Sequence, residues 1–377
     1  MVKRKYTLSK KNIETFFALV SAGLWEKDVE LQKYGITDFS EIMRLAEEQT
    51  TVGLVTAGLE HVVDIRIPQE WTLQFIGSTL QIEQRNKAMN KYLAELVVKM
   101  RAAGIYTLLV KGQGVAQYYE RPLWRSCGDI DLFLSDDNFQ KAKEMLLPLA
   151  SSTEKYTQGK HLEMVIDSWV VELHGWLRSG VSKRINKVLD DIQNDTFYNG
   201  NVKSWNNSGV NVFMLSPEND IFYVFVHFLN HFYKGGLGLR QICDWCRLMW
   251  VYRDKINMRE LKSRINSAGL ITEWKAFGAF AVEYLGMPLE AVPLYSDGAN
   301  WKRKARRIMV FVIKSGNFGH NRNMSYYGKY PYVVRKCISV GRRMADLCRH
   351  SMIFPLDSIK FFPYIIHTGV KSALKGA

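Results

Sequence analysis

Apolar residues recur at helical spacing from about Leu8 to Gly104, and the pattern changes at that glycine. Helix starts are signalled at Ser9 and Asp38, and Trp71 to Met100 reads as one long helix. Gly104 stands where a helix C-cap belongs, and Ile105–Val110 is apolar and β-branched enough to form a buried strand. Beyond it the pattern predicts a helix over Gly112–Tyr119, a strand over Ile130–Leu134, a helix over Asp137–Leu147, and strands near Leu162–Ile166 and Trp169–Leu173. After Ser216, Pro217 and Glu218 mark a helix start, and residues 217–233, 238–252, 258–268 and 271–285 again read helical. The expected class is α/β in the α+β sense: a small mixed sheet flanked by helical domains at both ends. The expected divisions are a helical domain over 1–104, the sheet core over 105–215, a second helical domain over 216–300, and a basic, aromatic-rich tail over 301–377.

Composition refines this picture. With 377 residues, 47% hydrophobic and 12% aromatic, the chain can bury several cores and is expected to be ordered nearly throughout. The net charge of +14 suggests a polyanion binder until it is located. Residues 301–377 hold 16 Lys or Arg against only Asp346 and Asp357, so the tail carries the whole excess and the body is neutral. Interleaved with aromatics such as Phe311, Tyr326, Tyr327 and Phe361, those charges suit RNA or an anionic membrane surface. The mixed apolar and basic segments Ile338–Leu347 and Ser358–Val370 favour the membrane. No apolar run is long enough for a transmembrane span, and the opening stretch is interrupted by Glu14 and Glu26, unlike a signal peptide. Five cysteines without framework spacing point to reduced thiols. A cytoplasmic protein, peripheral to the membrane at most, is the expectation.

The candidate chemistry lies in Val110-Lys111-Gly112-Gln113-Gly114 and Gly128-Asp129-Ile130-Asp131-Leu132. Strand residues two apart share a face about 7 Å apart along the chain, so Asp129 and Asp131 can serve one site. Glycines opening a helix after a strand admit phosphate oxygens to the backbone N–H groups. Glu172, within the apolar strand Trp169–His174, is a third carboxylate that is costly to bury without a compensating cation. Singly, these features are ordinary: Asp-x-Asp is a common solvated strand end, and Glu172 alone reads as an edge residue facing water. Their ordered combination fits a two-metal site for phosphoryl chemistry.

The stretch Leu109 to Leu173 resembles the nucleotidyltransferase superfamily that includes DNA polymerase beta, and within it the uncharacterised nucleotidyltransferase family. The phrases that carry the likeness are Leu109-Val110-Lys111-Gly112, Tyr118–Pro122, Arg125 before Gly128–Leu132, and Val171-Glu172-Leu173-His174. A later phrase, Gly238–Asp244, extends it to roughly residues 70–250. The resemblance implies that Asp129, Asp131 and Glu172 hold Mg²⁺ or Mn²⁺ and that the Gly112 turn holds a nucleoside triphosphate. Such an enzyme moves a nucleoside monophosphate to an acceptor and releases pyrophosphate. Gln113 departs from the Gly or Ser usual there, with Gly114 as partial compensation. Lys111 and Arg125 are candidate phosphate partners. A metal-dependent glycosyltransferase and a non-catalytic adaptor are the alternatives.

Four further features are expected to be structural. Cys243 and Cys246 match Cys-x-x-Cys but sit in a helical pattern and should be two buried thiols. His227 and His231 stand four apart, without a zinc-protease glutamate, and should belong to a core-facing aromatic helix. Arg240 and Asp244 should form an i, i+4 ion pair. His174 shares a face with Glu172 only if its strand is regular.

Overall fold

A computed structural model describes residues 9–153, 160–234, 236–317 and 330–374; Tyr326 and Tyr327 lie outside them. Helices α1 (Lys10–Trp25), α2 (Phe39–Glu48) and α3 (Val52–Glu60) lead into α4 (Gln69–Ala102). Asp38 caps α2, accepting from the Ser40 and Glu41 N–H groups. The long α4 buries Phe75, Thr79, Asn86, Met89, Leu93, Leu96 and Met100, spaced by three, four or seven residues along one face. It ends at Gly104, where a positive φ of 72° lets the Ile105 N–H reach the Met100 carbonyl and the Gly104 N–H reach that of Arg101. Ile105 is thereby used in closing α4, and the strand expected from Ile105 begins only at Leu108.

The core is a seven-stranded mixed sheet in the order β3-β4-β5-β2-β1-β7-β6. Its strands are β1 (Leu108–Val110), β2 (Asp129–Phe133), β3 (Ser152–Thr153), β4 (His161–Ile166), β5 (Trp169–His174), β6 (Val202–Asn207) and β7 (Val210–Leu215). The helices between them are α5 (Gly112–Ala116), α6 (Asp136–Leu146) and α7 (Lys183–Tyr198). The expected mixed sheet is therefore present, and larger than the sequence reading made it. The hairpin β6–β7 and helix α7 were not anticipated, and β7 lies inside the sheet, parallel to β1.

After the sheet come α8 (Pro217–Lys234), α9 (Leu239–Tyr252), α10 (Met258–Ala268) and α11 (Ile271–Leu285). The helices before and after the sheet share one core: Phe17 of α1 meets Phe280 of α11 edge to face at 6.0 Å. A second apolar cluster joins α4 to the sheet through Met89, Leu93, Leu132 and Val171. The tail forms α12 (Ala299–Ser315), α13 (Tyr332–Ile353) and α14 (Pro355–Leu374). It docks on α8, with Phe232 against His350 at 4.6 Å and Tyr233 against Phe361 at 5.4 Å between ring centroids.

Candidate active site

Strand register assembles the acidic residues. In the parallel pair β2–β5, Asp131 stands opposite Glu172, Asp129 opposite Val170 and Phe133 opposite His174. In the antiparallel pair β4–β5, His161 stands opposite His174. Because side chains alternate along each strand, Asp129, Asp131, Glu172, His174 and His161 emerge on one face. The regular pairing of β5 meets the condition for His174 to join Glu172. Carboxylate oxygens of Asp129, Asp131 and Glu172 lie within 4.8 Å of one another. The residues His161, Glu172 and His174 form a second group of the same compactness that shares Glu172.

Lys111 enters from the end of β1, its strained backbone (φ 60°) turning the chain into α5. Its Nζ lies 2.6 Å from Oδ1 of Asp131, whose side chain is only 2% exposed. His174 donates its Nε2–H to the same oxygen at 2.8 Å and lies 3.3 Å from Glu172 Oε2, as does His161. Asp131 thus has two cationic or donor partners, whereas Asp129 has mainly a like charge beside it. The neighbouring Asp131 carboxylate, then burial, push Asp129 up to about 6. Burial alone would raise Glu172, but hydrogen bonds from His161 and His174 and the Lys111 charge hold it well below the usual range. Burial would lower the Lys111 ammonium, yet Asp131, Tyr223 and Glu172 outweigh it, so Lys111 stays charged. His174 behaves likewise: Asp131 and Glu172 raise it against the effect of burial.

A cavity of about 210 Å³ opens over these groups, lined by Lys111, Gly112, Asp129, Asp131, Glu172 and, from across it, His227, His231 and Arg240. A second cavity, of about 250 Å³, lies on the far side of Lys111, Glu172, His227 and His231, and is walled also by His161, Trp176 and Asn230. The helix that carries His227 and His231, α8, is the core-facing aromatic helix expected, and these two histidines are the positions on it that line both cavities. Their Nε2 atoms are 3.0 Å apart. Burial, reinforced by the Lys111 charge, pushes His231 down to about 4 and His227 well below its ordinary value, so both are neutral at pH 7. Asn230 keeps a buried Oδ1 without a protein partner.

Other candidates take different places. Gly112 has φ 43°, and a Cβ there would come within 3.3 Å of the Asp129 carbonyl, so a glycine suits this turn. A Cβ on Gly114 would come 2.8 Å from the Met214 sulfur, so that glycine makes room for the sheet. The Gln113 side chain turns toward α4 and donates to Asn86. Helix α5 runs for five residues, not the expected eight, as the Tyr118 and Tyr119 N–H groups tighten onto the Val115 and Ala116 carbonyls. A dipole contribution from so short a helix is small.

Arg125 borders the first cavity, but its guanidinium is committed. It binds Asp244 in a bidentate pair (2.8 and 2.7 Å), and Tyr119 donates its hydroxyl to the same carboxylate at 2.7 Å. The expected Arg240–Asp244 ion pair is replaced by this one, because β2 and its preceding loop bring Arg125 to α9. Arg240 instead donates Nη1 to the Ser126 carbonyl and leaves a buried Nε without a partner at the cavity wall. Asn86 of α4 holds the same loop, donating to the Leu123 and Arg125 carbonyls at 2.8 Å. Cys243 and Cys246 are buried free thiols pushed upward by burial.

The donor set fits a divalent cation. Three carboxylate oxygens within 4.8 Å of one another, two of them crowded enough that the Asp131 charge raises Asp129, are the oxygen ligands hard ions prefer.

Residues 36–286 match the family described as uncharacterised nucleotidyltransferase. Among solved structures, the chain is similar to an antigenic nucleotidyltransferase-like protein from Paracoccidioides brasiliensis. That likeness has 14% identity and a TM-score of 0.31, over 54% of this chain and 95% of that one. No curated protein matches the chain.

Proposed function

The chain belongs to the uncharacterised nucleotidyltransferase family, and from that premise we propose that it transfers a nucleoside monophosphate from a nucleoside triphosphate to a hydroxyl-bearing acceptor. The observation that carries this reading is the convergence of Asp129, Asp131 and Glu172 with Lys111 on one cavity. Asp129, Asp131 and Glu172 would hold Mg²⁺ or Mn²⁺. Such ions, when bound, lower the pKa of an acceptor hydroxyl and neutralise a pyrophosphate leaving group.

The residues of the chain then divide the remaining work. The cavity of about 210 Å³ is below the roughly 300–1,000 Å³ usual for a whole ligand, so it takes the triphosphate end. Lys111 and Arg240 supply positive charge there, and the Gly112 turn lets backbone approach phosphate oxygens. Arg125 acts through position: its pair with Asp244 fixes the loop that delivers Asp129. The acceptor enters the second cavity, where it meets His161, Asn230 and the neutral His227. With Nε2–H of His227 donated to His231, Nδ1 of His227 accepts a hydrogen bond from the acceptor hydroxyl and orients it, and the hydroxyl proton leaves to solvent as the bond to phosphorus forms. The acceptor oxygen bonds to the α-phosphorus, the bond from that phosphorus to the bridging oxygen breaks, and pyrophosphate leaves.

Label position tests the reading. Purified protein is incubated with Mg²⁺ or Mn²⁺, cell-extract acceptors, and ATP labelled on either the α- or the γ-phosphorus. Label from the α position on the acceptor, with label from the γ position appearing in pyrophosphate, supports nucleotidyl transfer. Label from the γ position on the acceptor means phosphoryl transfer and contradicts it. Consumption of nucleotide sugars with release of nucleoside diphosphate would instead identify a glycosyltransferase.

A further inference from the structure

The tail plays no part in the chemistry above, yet it holds the entire charge excess. Its two acids, Asp346 and Asp357, are buried at 4% exposure and matched to Arg349 and Lys360. The exposed tail surface is accordingly cationic among the described residues. Between α12 and α13 runs a groove of about 710 Å³. Arg303, Arg306, Arg307, Lys314 and Arg349 line it against a single carboxylate, Asp346, which Arg349 pairs at 3.2 Å, and its apolar part is formed by Val310, Phe311 and Ile353.

Beside the groove, two helices present aliphatic stripes to solvent. On α13, Val340, Met344 and Met352 are exposed at multiples of four residues. On α14, Leu356, Ile359 and Ile366 share one face, with Leu356 and Ile359 each 70% exposed, while Asp357, Phe361 and Ile365 bury the opposite face. Such stripes flanked by basic side chains belong to helices that lie in a lipid interface. Aromatic exposure separates this from nucleic-acid binding, which stacks bases on exposed rings. Phe311, Phe354 and Phe361 are all buried, and Tyr330 is the one large exposed aromatic among the described tail residues.

We propose that the C-terminal helices dock this protein on an anionic lipid surface, with lipid phosphates held by the arginine-lined groove and the aliphatic stripes of α13 and α14 entering the acyl layer. Charge complementarity commits the occupant to anionic lipid, and the apolar part of the groove accounts for more than a phosphate. Among the described residues no helix is long and apolar enough to cross a membrane, so the contact is interfacial.

The full-length protein is floated with phosphatidylcholine vesicles, or with vesicles containing phosphatidylglycerol, without nucleotide, so that the result is independent of the proposed chemistry. One variant carries Arg303→Glu, Arg306→Glu and Lys314→Glu; Arg307 is spared because it donates Nη1 to the Met352 carbonyl across the groove. A second carries Leu356→Ser and Ile359→Ser, exposed positions whose change leaves the fold intact, as checked by an unshifted Tm. Binding is expected only with the anionic lipid. The charge variant should weaken it by at least about 30-fold and the aliphatic variant by about 10-fold. Equal binding to both vesicle types overturns the proposal, as does full binding by the aliphatic variant. Preference for a 20-nucleotide single-stranded RNA over anionic vesicles overturns it in favour of nucleic acid.

Discussion

Replacing Asp129 by Asn should stabilise the protein while abolishing its transfer activity. Asp129 titrates at about 6 against an ordinary 3.8, chiefly because Asp131 stands beside it. A raised carboxyl pKa means that ionising the folded protein costs more than ionising the unfolded chain. Below about pH 4 both states are protonated and Asn brings no gain. Between about pH 4 and 6 the unfolded chain loses its proton first, so stability falls as pH rises. Above pH 6 the whole penalty is present, about 3 kcal/mol for a shift of this size. Removing the charge should therefore raise Tm by roughly 3–6 °C at pH 7.5. Thermal unfolding of wild type and Asp129→Asn in EDTA from pH 4 to 8 measures this, with a difference that grows from near zero and levels off above pH 6. Added Mg²⁺ should raise the wild-type Tm and move the variant less. A variant less stable than wild type at pH 7.5, or a difference independent of pH, would refute the electrostatic reasoning.

Three other outcomes follow from the same site. Arg125→Met leaves Asp244 buried without its bidentate partner and should cost about 3–5 kcal/mol, whereas Arg125→Met with Asp244→Leu should recover most of that; strictly additive losses in urea unfolding would contradict the pairing. Lys111→Met should lower kcat/KM for the triphosphate by about 10- to 100-fold, the worth of one charge-assisted contact, and an unchanged value would remove Lys111 from the site. Iodoacetamide on the native protein should modify exposed Cys348 while Cys243 and Cys246 remain unmodified, read by peptide mass spectrometry.

Local pattern was sufficient for part of this site. Asp129 and Asp131 alternate in an apolar strand, and Glu172 interrupts another, so a common face could be argued before any contact was known. The histidines could not be placed that way. Helix α8 carries Phe222, Phe225, Phe228 and Phe232, all buried, and an aromatic helix of that kind reads as core on every face. Only packing against the β1–α5 turn reveals that His227 and His231 face Lys111. The Arg125–Asp244 pair spans 119 residues, and spacing within one helix pointed to Arg240 instead. The missed elements did have signals. Asn207-Ser208-Gly209 separates two alternating runs and turns the β6–β7 hairpin with positive φ at Ser208 and Gly209. Ser182, whose hydroxyl accepts from the Arg184 N–H, precedes Ile185, Val188, Leu189 and Ile192 at helical spacing in α7.

Pyrophosphate release from the four ribonucleoside triphosphates, with Mg²⁺ or Mn²⁺ and extract acceptors, is the most direct measurement of the central claim. Wild type is set beside Asp129→Ala and Asp131→Ala. Metal-dependent release that disappears in both variants is the predicted result. Release that persists undiminished in either variant, or triphosphate binding with no release from any acceptor pool, would contradict catalysis at this site.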